Sequence, residues 1–346
     1  MGYGDHLISI GAASRQHRLD AQRRPVAIGN GRQVDPTFPE LRHGLDFLAT
    51  QAMVDAGEPV SWLISYEGYR PYHDHAAMAA EWSALHPWRR LFGAPPANKL
   101  SSRLGRCICD PQHRAEPAPL VLDAREEAVA REWSRQPFVV IEPHIKGKAP
   151  PSKRWPFERF AAVARSLRQE IAVYQAGEPD LPALEGVPRL PTKRFRDVLS
   201  YLKAARLYIG PEGGLHHAAA AMGTPAVVLF GGYISPKVTG YDFHANLTGG
   251  AEACGTRHVL CAHCVAAMGR ISVEEVLGEA RRLLARPQST GAAAARSSQD
   301  ASGAQAPVQE RSREQRVAAL EGTGLDAVAA VPLDFPRHVV DGVGER

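Results

Sequence analysis

Between residues 137 and 286, short apolar runs alternate with segments whose apolar positions recur at helical spacing. Phe138 to Glu142 (FVVIE), Ile171 to Tyr174, Leu207 to Ile209 and Ala226 to Phe230 are suited to strands covered on both faces. Pro156 to Gln169, with proline in its first turn, Phe195 to Arg206 and Leu215 to Met222 have the pattern of helices, and Ser272 to Ala285 (SVEEVLGEARRLLA) that of a capped amphipathic helix. Strands alternating with helices imply an α/β fold with a doubly wound parallel sheet.

Residues 1–136 carry the same alternation less clearly. The loop GYGD precedes a helix expected from His6 to Arg18; Pro25 to Ile28 and Val60 to Ser65 are strand-like, and Ala124 to Arg135 is a further helix. This half is short for a Rossmann-like domain, and no strand precedes GYGD. That predicts either a true start upstream of Met1 or a degraded homologue. From Pro287 the chain turns to alanine, serine, glutamine, glycine and arginine, so residues 287–346 are expected to be a mostly disordered tail, with a short helix around Arg311 to Glu321.

The 346 residues are 44% hydrophobic and 23% charged, with 31 glycines and 27 prolines but no G-X-Y period and no internal repeat. Wholesale disorder, collagen and solenoids are thereby excluded. A net charge of +4 without a basic run argues against nucleic acid as a partner. The longest apolar stretch, Ala218 to Phe230, is shorter than the ~20 residues a membrane helix needs. Asp5 and His6 stand where a secretory signal would be basic, so the expected location is cytoplasmic.

Candidate chemistry sits in loops between strand ends and helix starts. In Gly2-Tyr3-Gly4-Asp5, the aspartate is either an N-cap or a proton acceptor facing a ligand. His144 to Trp155 (HIKGKAPPSKRW) gathers Lys146, Lys148 and Lys153, three of only seven lysines in the chain, with Arg154, before a helix N-terminus that favours phosphate. The alternative is ordinary solvated charge; the P-loop spacing is absent. Gly210 to His217 (GPEGGLHH) offers glycine backbone donors to a diphosphate, with His217 one turn into the helix, or packed beneath the loop. Gly231, Gly232 and Tyr233 form a fourth loop.

Cys254, Cys261 and Cys264, spaced C-x6-C-x2-C with His258 and His263 between them, have donors enough for zinc, but a single C-x2-C favours free thiols. Cys107 and Cys109 fit no zinc pattern. Tyr66, Tyr69, Tyr72, His73, His75 and Trp82 form either a sugar-stacking surface or an aromatic core cluster.

Taken together, PFVVIEPHIKGKAPPSKRWPFERFAAVARSL, YIGPEGGLHHAAAAMGTPAVVLFGG and the opening GYGD resemble glycosyltransferase family 9, which contains the bacterial heptosyltransferases of lipopolysaccharide assembly. The resemblance implies a GT-B architecture of two Rossmann-like domains facing a cleft: a short acceptor-side domain at 1–136 and a donor-binding domain at 137–286. It also implies inverting transfer from a nucleotide-diphosphate sugar to a lipopolysaccharide-like glycan or glycolipid, with no metal or other cofactor, and peripheral contact with the inner membrane. It leaves the oligomeric state open. By resemblance Asp5 is the catalytic base, Lys153 contacts the donor phosphates, Glu178 takes the ribose hydroxyls, and Glu212, Gly213, Gly214 and His217 hold the nucleotide; the charge of the loop adds Arg154 to the expected phosphate contacts. Glu212 stands where the family has aspartate, Gly213 where it has a hydroxyl residue, and GGYISP is one residue longer than the family loop. A nucleotide-sugar epimerase on the same scaffold and a non-catalytic nucleotide-sugar binding homologue are the alternatives.

Overall fold

The computed structural model describes residues 2–88, 93–145, 151–256 and 260–287. The predicted tail and its short helix, Lys146, Lys148 and His258 lie outside the described residues. Seven strands are described: β1 (Val26–Gly29), β2 (Ser61–Ile64), β3 (Phe138–Ile141), β4 (Ala172–Gln175), β5 (Leu207–Pro211), β6 (Ala226–Leu229) and β7 (Ala245–Leu247). The helices in the first half are α1 (Tyr3–Leu19), α2 (Gln51–Asp55), α3 (His75–Leu85), α4 (Ala97–Leu104) and α5 (Ala124–Trp133). In the second half they are α6 (Phe157–Leu167), α7 (Asp197–Ala204), α8 (Gly214–Ala221), α9 (Pro236–Thr239), α10 (Ala262–Arg270) and α11 (Val273–Leu284).

The main sheet has the order β4-β3-β5-β6-β7 and is parallel throughout. Its central strands are uninterrupted apolar runs because alternate residues enter two different cores. Val139, Ile141, Leu207, Ile209, Val227 and Leu229 pack with residues of α6 and α11 on one face. Phe138, Val140, Tyr208, Val228 and Phe230 pack with residues of α7 and α8 on the other. This second core continues into the first half of the chain, taking in Leu7, Ile10, Val26 and Ile28. There β1 and β2 form a two-stranded parallel sheet, the only sheet of that half among the described residues.

Helix α1 begins at Tyr3, three residues earlier than its apolar pattern suggests, with Gly2 as its N-cap. Asp5 is therefore not the N-cap but the third helical residue, where its carboxylate accepts the Gly2 N–H at 3.3 Å. The cap expected at Ser272 is present, its Oγ accepting from Glu275 N at 3.0 Å, and α5 is also capped, Asp123 and Glu126 bonding reciprocally at 2.8 Å.

Candidate functional site

Strand order reverses between β3 and β5: the chain leaves β3 toward α6 on one face and leaves β5 toward α8 on the other. Loops that diverge in this way leave a crevice at the carboxyl ends of the two strands. Glu142 stands at the end of β3 and Glu212 at the end of β5, and Lys153, carried by the 3-10 turn Pro151–Lys153, reaches across to Glu212.

The carboxylate of Glu212 has two partners. One oxygen accepts from the Lys153 ammonium, and Oε1 lies 3.3 Å from His217 Nε2. Burial opposes its charge, but Lys153 and His217 outweigh that cost and hold the carboxyl down to about 2. His217 Nδ1 in turn meets the Tyr241 hydroxyl at 3.0 Å. Beside it His216 is fully buried, neither ring nitrogen has a hydrogen-bond partner, and burial keeps it neutral. Glu212, His216 and His217 place ligand atoms within 4.8 Å of one another. The Lys153 ammonium already supplies the cation at Glu212, so this trio does not need a metal to balance its charge.

A second cluster adjoins the first because α1 packs against α8 with almost no spacing. A Cβ on Gly4 would lie 3.0 Å from His217 Cδ2 and 3.4 Å from the Gly213 and Gly214 backbones. A Cβ on Gly214 would meet Phe195 at 3.1 Å and Tyr3 at 3.3 Å. These glycines bring two helix N-termini together at the carboxyl end of β5. Asp5, one residue on, pairs with Arg70 Nε at 3.0 Å and accepts from the Tyr72 hydroxyl at 2.7 Å. Burial opposes the Asp5 charge, yet the Arg70 guanidinium and these hydrogen bonds hold its carboxyl well below the usual range. Between the clusters lies Tyr233, with the Lys153 ammonium 4.9 Å from its ring centroid and its phenol close enough to act electrostatically on Arg70 and Tyr72.

Asp5, Lys153, Glu212, Gly213, Gly214 and His217 thus form one region. Arg154 is exposed beside it, and Glu178 is exposed after β4, on the far side of β3 from Glu212. The aromatic group divides. Tyr72 and Trp82 are buried, Trp82 with Met78 and Leu100, whereas Tyr69 stacks on His75 at 3.5 Å in a half-buried position. A cavity of about 530 Å³ bordered by Asp35, Arg42 and Asp46 opens in this same half of the chain.

Arg70, Glu142 and Tyr241 are the site residues that the sequence pattern does not single out. Arg70 was visible as the one cation inside the aromatic run YEGYRPYH, and Glu142 as an acid at the end of a buried strand. Enclosure raises the Glu142 carboxyl to about 7, opposed by a hydrogen bond from the Tyr208 hydroxyl.

Comparison with solved structures finds a family 9 glycosyl transferase from Veillonella parvula DSM 2008, 16% identical, covering 82% of this chain and 95% of that one with a TM-score of 0.49. It also finds E. coli heptosyltransferase WaaC with ADP, 14% identical, covering 82% and 97%, TM-score 0.43. E. coli ADP-heptose lps heptosyltransferase II is 20% identical, TM-score 0.37; the match takes in 48% of this chain and spans about half, 53%, of that one. No curated protein matches the chain. The family description "Glycosyltransferase family 9 (heptosyltransferase)" matches residues 110–267, the stretch holding the Lys153–Glu212–His217 cluster, and over that stretch the chain is similar to this family.

Proposed function

We propose that the protein is an inverting glycosyltransferase, moving a sugar from a nucleotide-diphosphate donor to a hydroxyl of a lipopolysaccharide-like acceptor at the cytoplasmic side of the membrane, without a metal at the diphosphate. The observation that carries this reading is the Lys153 ammonium at the β3/β5 crevice, facing the N-terminus of α8 across Glu212. A departing diphosphate needs cationic and N–H donors where its charge develops, and a lysine beside a glycine-led helix start supplies both. Asp5 lies against the same helix start through Gly4, in position to take the acceptor's proton as the hydroxyl attacks the anomeric carbon.

The direct test incubates the purified protein with ADP-heptose and heptose-deficient lipopolysaccharide, without added magnesium or manganese. The expected result is ADP release matched by a glycosylated product of inverted anomeric configuration, abolished in Asp5→Asn. Hydrolysis only, or turnover that requires the added ion, overturns it. The tight Arg70 pairing of Asp5 favours a second reading, a non-catalytic nucleotide-sugar binding homologue, because a carboxylate so stabilised is a weak base. Donor binding equal in wild type and Asp5→Asn, with no product in either, selects that reading.

A further inference from the structure

Away from the crevice, Cys254, Cys261 and Cys264 converge. Cys254 Sγ lies 3.3 Å from Cys264 Sγ and 3.9 Å from Cys261 Sγ, and all three sulfurs are within 4.8 Å of one another. None of these is the ~2.05 Å of a disulfide. They bracket the edge of a tetrahedron of thiolates around zinc, about 3.8 Å for a Zn–S bond of ~2.3 Å. We propose that Cys254, Cys261 and Cys264 bind one thiophilic divalent cation of the zinc class as a structural site.

The surroundings fit thiolate ligands. Cys261 is the N-cap of α10, and the backbone N–H groups of Cys264 and His263 point at its sulfur and hold its thiol below the ordinary value. Thr256 N donates to the Cys254 sulfur at 3.5 Å. Such N–H···S contacts surround metal-bound thiolates because they spread the negative charge of the cluster. Cys264 is fully buried, and burial pushes its thiol up. Each thiol that binds gives up its proton to solvent as its S–H bond is replaced by a metal–sulfur bond. Among the described residues no fourth ligand atom joins the three.

The placement gives the cation a task. Cys254 N donates to Gly232 O at 2.9 Å, Gly255 N to Tyr233 O at 3.0 Å, and Cys107 N to Gly255 O at 2.9 Å. The Cys254–Gly255 segment therefore ties the loop bearing Tyr233 to Cys107, and a cation on Cys254 fixes that tie to the start of α10. Tyr233 is the residue lying between Lys153 and the Asp5–Arg70 pair.

The test is metal analysis of full-length protein purified without a histidine tag, followed by cobalt(II) titration of the chelator-stripped protein. The expected result is about one equivalent of zinc per chain, and with cobalt the charge-transfer and d–d bands of tetrahedral thiolate coordination. Cys254→Ser, Cys261→Ser and Cys264→Ser each lose these bands, whereas Cys109→Ser keeps them. Should the serine variants fail to fold, the wild-type titration decides alone. Absence of cobalt–thiolate bands in folded wild type, or a mass lower by two hydrogens that shows a disulfide among the three cysteines, overturns the proposal.

Discussion

Asp5 and Arg70 form an ion pair, Oδ1 to Nε 3.0 Å, in which the arginine side chain is 7% exposed and the aspartate 23%. Its contribution has a defined pH window. The folded-state carboxyl lies below its unfolded value of ~3.9, so the stabilisation is fully present above that value and is lost as pH falls through the lower folded value. Arg70→Gln leaves the carboxylate without its cation, an effect of about 3–5 kcal/mol for a buried pair, reduced here by the exposure of Asp5. Denaturant titration at pH 7 should show Arg70→Gln clearly less stable than wild type, with the gap closing below pH 4. A gap that persists at low pH would show that Arg70 acts through packing alone.

Lys153 and Glu212 make opposite predictions for ligand binding. Loss of a charge-assisted phosphate contact is about 1.5–3 kcal/mol, so Lys153→Ala should weaken ADP binding by roughly ten- to a hundred-fold in calorimetry. Glu212→Gln removes the anion that competes for the ammonium and repels phosphate, so ADP should bind more tightly than to wild type at pH 7. The wild-type affinity should not improve between pH 7 and 4.5, because Glu212, held down to about 2, stays ionised across that range. Weaker binding in both variants would mean that the pair acts as one structural unit.

The legible parts of the sequence were those in which one local signal had one cause. Buried parallel strands announced themselves because Val139, Ile141, Val227 and Leu229 face one core while their neighbours face another, leaving no polar position in the run. Ser272 marked a helix start through its own side chain. Strand β7 was not legible, since three residues (ANL) at a sheet edge lack a pattern, and α10 opens inside a cysteine-histidine run that reads first as chemistry. Lys153, Glu212 and His217 could be nominated from loop composition, but the partnership of Asp5 with Arg70 could not: the two are 65 positions apart and meet only through tertiary packing.

Two helical glycines should respond in opposite directions to alanine. In an exposed helix interior Gly→Ala gains about 0.5–1 kcal/mol, and Gly278 on α11 has nothing within 4 Å of a Cβ, so Gly278→Ala should raise the midpoint of chemical denaturation. Gly11 on α1 looks equivalent in sequence, yet its Cβ would sit 2.1 Å from Glu116 O. Backbone must move to admit it, and overpacking of this kind costs typically 1–3 kcal/mol. Gly11→Ala should lower the midpoint; an increase would show that the segment around Glu116 yields freely.

Arg196 is the remaining strong test, because it joins the start of α7 to the first half of the chain. Its Nε and Nη2 take both Glu126 oxygens at 2.6 and 2.8 Å, while Nη1 reaches Glu40 O at 2.5 Å and Nη2 Val121 O at 2.7 Å. The side chain is 7% exposed and that of Glu126 14%, so truncation strands a carboxylate and two carbonyls at once. Loss of one partner of such a pair costs about 3–5 kcal/mol, and Arg196→Ala should approach that figure in equilibrium denaturation. Lysine cannot reproduce the fork, since one ammonium cannot span both carboxylate oxygens and two carbonyls, so Arg196→Lys should recover less than half of the loss. Full recovery by lysine would reduce the role of Arg196 to its charge. Arg196→Leu separates packing from polarity: it restores apolar volume without a donor, and should remain close to the alanine variant if the stranded acceptors dominate.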